Sequence, residues 1–79
     1  MRIDKYLKVA RIIKRRTVAK EACDGGRVSI NDKVAKAGDE VRVGDLIDVR
    51  MGSGSVRVRV LSISEHVSKD GAKELYEVV

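Results

Sequence analysis

Cysteine occurs once, at Cys23, and proline, phenylalanine and tryptophan do not occur at all. A lone thiol excludes an internal disulfide framework. Cys23 and the single histidine, His66, cannot make a zinc site by themselves, so no metal is expected. No apolar run exceeds three residues, which leaves nothing to span a membrane. The opening Met1-Arg2-Ile3-Asp4-Lys5 leads into no apolar stretch, so a signal peptide is not expected and the cytoplasm is the expected location. A glycine-rich phosphate loop, a Gly-x-Ser-x-Gly turn and a His-Glu-x-x-His pair are all missing. With no nucleophile–base or acid–base pair to propose, neither an enzyme nor a cofactor is expected. The aromatics are two tyrosines, too few for the stacking platforms that hold single-stranded nucleic acid.

What is present is aliphatic and basic. Thirteen valines and six isoleucines lean toward sheet and supply a core for one domain of 79 residues. Lys+Arg 17 against Asp+Glu 12 gives a formal charge of +5. That charge is uneven. Residues 1–36 hold eleven Lys/Arg against four acids, a balance of +7, whereas residues 37–79 hold six against eight, a balance of −2. The first half therefore reads as an anion-binding half and the second as scaffold, and the natural partner is a polyanion.

Periodicity places the elements. Ile3, Tyr6, Leu7 and Ala10 share one stripe of a helix over 3–10, with Asp4, Lys8 and Arg11 on a neighbouring polar face. Ile12 and Ile13 are expected to bury at the corner that follows. Thr17 reads as the N-cap of a second helix over 18–24, whose buried stripe is Val18, Ala19, Ala22 and Cys23, and Gly25-Gly26 ends it. The period then becomes two. Val28 and Ile30 alternate with polar residues, Asn31-Asp32 is a two-residue hairpin turn, and 33–36 is the return strand. Leu46 to Met51 reads as a strand, 52–55 as a turn, and Val56, Val58 and Val60 as a strand that keeps Arg57 and Arg59 on a wet face. Residues 64–73 show no period, with His66 in a surface loop, and 75–79 suit a closing edge strand. The order predicts an α+β fold.

The most informative stretch is Lys14-Arg15-Arg16-Thr17. Three cations precede a helix start that already carries partial positive charge, against the usual preference for acids there. Such a conflict is expected where function overrides local stability. The bare amides of residues 18–20 and the three cations would aim one positive potential at one place, which is the physics of a phosphate site. Arg2, Lys5, Lys8 and Arg11 add a second basic surface from the first helix. Asp4 among them is either an ion-pair partner that orients arginines or an ordinary acid of a helix start. Arg27 follows the double glycine, Lys33 and Lys36 flank the hairpin, and Arg57 and Arg59 either extend the footprint or form an ordinary solvated face. The second helix needs its Ala/Cys stripe for the core and is short for a major-groove reader. Phosphate and shape recognition of folded RNA is the mode these residues suit.

These motifs also carry a resemblance. Arg2-Ile3-Asp4-Lys5-Tyr6-Leu7, Arg15-Arg16-Thr17-Val18-Ala19, Gly26-Arg27-Val28-Ser29-Ile30-Asn31 and Val43-Gly44-Asp45-Leu46-Ile47-Asp48-Val49 resemble the S4 RNA-binding domain over residues 2–51. Asp32 stands where that family commonly has glycine. The resemblance implies an S4-like (alpha-L) fold: two to three short N-terminal helices on a small, bent antiparallel sheet of four to five strands. Residues 52–79 would then be a C-terminal strand extension of the same single domain. It implies an RNA face made by Arg2, Asp4, Lys5, Lys8, Arg11, Arg15, Arg16 and Thr17, with Lys14, Lys20, Arg27 and Lys33 as peripheral phosphate contacts. Among S4 proteins the chain is similar to the stand-alone bacterial ribosome quality control type, which is related to heat-shock S4 proteins. That implies a monomer that binds ribosomal RNA of the large subunit and a peptidyl-tRNA, and that works with an RqcH-like tailing factor on the nascent chain. The alternatives are a heat-shock-type factor that recycles aborted large subunits and a basic protein–protein adaptor.

Overall fold

The computed structural model describes residues 1–65 and 71–79. Helix α1, Ile3–Val9, and helix α2, Arg16–Asp24, precede strands β1 (Val28–Ile30), β2 (Lys33–Val34), β3 (Leu46–Met51) and β4 (Gly54–Val60). A short 3-10 turn, Gly71–Glu74, leads into β5, Tyr76–Val78. The strands form one antiparallel sheet in the order β2-β1-β3-β4-β5. This is the predicted α+β architecture, with β5 at one edge.

Helix α1 forms on its apolar stripe, and Ile3, Tyr6, Leu7 and Ala10 are all buried. Its entry is fixed from outside: the Ile3 and Asp4 amides donate to the carbonyls of Asp39 and Ala37 at 2.8 and 3.3 Å. Helix α2 packs against α1 through Ala19, Ala22 and Cys23. Small side chains there let the two helices approach closely. Burial pushes the Cys23 thiol up to about 11, with smaller contributions from Asp4, Asp24 and Asp39.

Both helices close in the same way. Past α2, Gly26 donates to the Cys23 carbonyl and Arg27 to the Ala22 carbonyl, with Gly26 left-handed at φ 74. Past α1, Arg11 donates to the Lys8 carbonyl and Ile12 to the Leu7 carbonyl, with Arg11 left-handed at φ 59. This is the Schellman pattern, whose left-handed position favours glycine. An arginine fills that position after α1.

Several sequence expectations shift. Helix α2 begins at Arg16, two residues before the predicted start, and its N-cap is Arg15 in extended conformation with no side-chain cap. Thr17 is therefore not the cap; it is an exposed residue of the first turn. The first helical bond is Ala19 N–H to the Arg15 carbonyl, so the uncommitted amides are those of residues 16–18 and not 18–20. Arg16, a better helix former than threonine, joins the helix ahead of Thr17. Val18 leaves the predicted buried stripe and is 44% exposed. Ile13 buries as expected, while Ile12 is half-buried. The return strand is Lys33–Val34 only, because Ala35 and Ala37 turn into the core under α1. The turn between β3 and β4 is two residues, Gly52 and Ser53, with Met51 paired to Gly54. The Asn31-Asp32 turn stands, with φ of 51 and 69, the two left-handed residues of a type I′ hairpin. His66 lies outside the described residues.

The C-terminal extension seals the core. Leu75 is buried, and its carbonyl accepts the Tyr6 hydroxyl at 2.7 Å and the amides of Leu61 and Ser62 at 2.8 and 3.2 Å. Burial raises the Tyr6 phenol well above its ordinary value, and Tyr76 adds to this. Neither tyrosine stands free on the surface as a stacking platform, since Tyr76 is partly buried against the same core.

Candidate nucleic-acid interface

The packing of α2 on α1 brings Arg2, Asp4 and Arg16 together. Asp4 is the one charged residue buried among the described residues, at 2% exposure. Its Oδ1 accepts the Lys5 amide at 2.8 Å and lies 3.2 Å from Arg2 Nε. Its Oδ2 lies 3.3 Å from an Arg2 terminal nitrogen and accepts Arg16 Nε at 3.4 Å. One carboxylate thus holds two guanidinium groups side by side. Both readings of Asp4 hold: it is the acid in the first turn of α1 and the ion-pair partner of the two arginines. Arg16 is engaged through Nε alone, and both arginine side chains remain about half exposed, at 49 and 46%. Free guanidinium edges next to one another suit the two oxygens of a phosphate. The uncommitted amides of 16–18 lie at the same helix start.

A second cluster adjoins through the linker between the helices. Lys8, Arg11 and Lys14 line an open groove of about 310 Å³ with Val9 and Glu65. Arg11 reaches it because its backbone is left-handed, which swings the chain out of the helix path. Lys5 pairs with Glu65 at 3.1 Å at the groove's side. Lys14 and Arg15 are exposed and make no ion pair with a described residue. Thr17 and Lys20 are exposed on α2, Lys20 one turn after Arg16.

The remaining predicted residues fall elsewhere. Arg27 follows α2 beside Arg50, whose amide donates to the Arg27 carbonyl at 2.8 Å. Lys33 is exposed on β2 at the hairpin. Arg57 and Arg59 are on the wet face of β4, paired with Asp32 and Asp48 and with Glu77, in agreement with a solvated strand face. Sequence reading missed Glu65 and Arg50. Glu65 sits in a stretch with no period, and Arg50 is one exposed cation on a strand, so neither left a signal.

A basic helical face clamped by one buried acid, carried on a small antiparallel sheet, defines the class. The chain belongs to the S4 domain family, whose model matches residues 1–47. Over nearly its full length it is similar to proteins named RQC P-site tRNA stabilizing factor. The one from Halalkalibacterium halodurans is 51% identical over 78 residues, covering 99% of this chain and 89% of that protein. The one from Bacillus subtilis is 47% identical over 79 residues, covering 100% of this chain and 92% of that protein. Among solved structures, the trimeric Heat Shock Protein 15 of Vibrio cholerae superposes with a TM-score of 0.92 at 31% identity, covering all of this chain and 81% of that one.

Proposed function

We propose that the protein is a non-enzymatic, cytoplasmic RNA clamp that acts in ribosome quality control. It binds large ribosomal subunits that carry a stalled peptidyl-tRNA, contacts ribosomal RNA and the tRNA in the peptidyl site, and supports nascent-chain tailing by an RqcH-like partner. The observation that carries this reading is the pair of half-exposed guanidinium groups of Arg2 and Arg16 on the buried Asp4. A carboxylate that fixes two cations before any ligand arrives lowers the ordering cost of binding a phosphate. The similarity to RQC P-site tRNA stabilizing factors along the whole chain supports the choice of RNA and setting.

The decisive variant is Arg16→Ala. It removes one edge of the phosphate seat and leaves the buried stripe of α2 intact. Expected is loss of co-sedimentation with large subunits, at least about tenfold in affinity for a charge-assisted contact of about 1.5–3 kcal/mol, with an unchanged far-ultraviolet circular dichroism spectrum. Undiminished co-sedimentation of the folded variant defeats the assignment. The second reading is a heat-shock-type recycling role, prompted by the likeness to Heat Shock Protein 15. The two roles separate by whether alanine-type tailing of the nascent chain depends on this protein together with an RqcH-like factor.

A further inference from the structure

The opposite flank of α2 carries a different surface. A groove of about 360 Å³ runs between α2, the residues that precede it, and the end of β3. Its floor includes Ile12, Val18 and Met51, and its rim is Lys14, Arg27 and Arg50. Val18 and Met51 are 44 and 43% exposed, large apolar side chains turned to water beside three cations. No acid lines the groove, and none of the three rim cations pairs with a carboxylate of a described residue.

The chemistry of the lining selects the occupant. A nucleobase stacks on an aromatic ring or a guanidinium plane and needs groups that answer its edge. The lining has no aromatic ring and no side-chain oxygen or ring nitrogen, and its two guanidinium groups, Arg27 and Arg50, have no carboxylate partner among the described residues to hold them flat for stacking. A base placed on Ile12 and Val18 would give up its bonds to water for contact with methyl groups. Leucine, isoleucine or phenylalanine side chains would instead exchange water for a matching aliphatic floor. The flexible thioether of Met51 adapts to such partners. Carboxylates flanking those side chains would reach the three rim cations.

We infer that this groove docks an acidic amphipathic segment of a partner protein, with apolar side chains on the floor and Asp or Glu at the rim. The inference does not rest on the RNA reading. It does place the two surfaces side by side, because Lys14 lines both grooves.

The test uses the full chain with labelled methyl groups in nuclear magnetic resonance. The probe is a synthetic helical peptide with leucine at i, i+3, i+4 and i+7 and glutamate on its flanks. Two control peptides replace every leucine by serine or every glutamate by lysine. Expected is a saturable shift of the Ile12, Val18 and Met51 methyl signals with the acidic peptide, and binding at least about tenfold weaker with either control. Met51→Gln should weaken the acidic peptide several-fold and leave RNA affinity unchanged. The proposal is overturned if the acidic peptide moves none of these methyls, or if the lysine peptide binds as well. It is equally overturned if a single-stranded RNA oligonucleotide shifts them in the peptide's place, which would give the groove to a nucleotide. Shifts that follow protein concentration alone would give it to a second copy of the chain and also sink the proposal.

Discussion

Asp4 sets the sign of an experiment. Its charge opposes RNA, so simple electrostatics says that Asp4→Asn should tighten binding. The geometry says the reverse, because Asp4 holds Arg2 Nε at 3.2 Å and Arg16 Nε at 3.4 Å. Without the carboxylate's charge, both guanidinium groups swing into water and must be re-ordered on binding. Asp4→Asn is expected to weaken RNA binding several-fold while raising the net charge, and to cost about 1–2 kcal/mol of stability. Filter binding and urea unfolding measure the two. Cys23 gives a residue-scale pH dependence. Its folded thiol titrates near 11 against an ordinary 9.0, so the unfolded chain ionises first. The contribution is fully present below the ordinary value and is lost as pH rises from about 9 toward 11. The stability advantage of the wild type over Cys23→Ala should therefore shrink across that window in urea unfolding, and a constant difference would refute it.

The two helix ends form a matched comparison. Gly26 at φ 74 is the inexpensive solution, and Arg11 at φ 59 is the costly one. Arg11→Gly should stabilise the fold by about 0.5–1 kcal/mol, the left-handed cost of about 1–2 kcal/mol less the extra freedom glycine gives the unfolded chain, and should weaken RNA binding. Gly26→Ala should destabilise by a similar amount, since its added Cβ meets nothing within 4 Å and only backbone strain remains. Thermal melting of both variants checks the pair. The same contrast explains what the sequence disclosed. Gly25-Gly26, the Val28/Ile30 alternation and the Asn31-Asp32 turn are signals written in the residues that obey local rules. The elements they mark appear where expected. The start of α2 differs from the sequence expectation because threonine is an ordinary cap, whereas here Arg16 precedes it in the helix and the extended Arg15 is the N-cap. The Asp4 clamp was one of two open readings, because i to i+12 proximity depends on how α2 lies on α1. Glu65 in the basic groove depends on the path of the chain after β4, which no local pattern records.

At the scale of the molecule, charge is segregated by secondary structure. Lys14 and Arg15 of the linker pair with no carboxylate of a described residue, while the arginines of β4 are neutralised by Asp32, Asp48 and Glu77. RNA binding should accordingly depend steeply on salt. With about five phosphates neutralised, a log–log slope of about −3.5 to −4.5 is expected. Arg57→Ala should leave that slope unchanged, whereas Arg16→Ala should flatten it by nearly one unit. A titration from low to high salt reads both. The Leu75 carbonyl ties the first helix to nearly the last strand, through the Tyr6 hydroxyl 69 residues away in sequence. The helix beside Arg2 and Asp4 is thus anchored from underneath by a segment remote in sequence. A break in the chain anywhere between them would leave the Tyr6 hydroxyl buried without its acceptor, a cost of about 1–3 kcal/mol that falls on the very element on which the basic face is built.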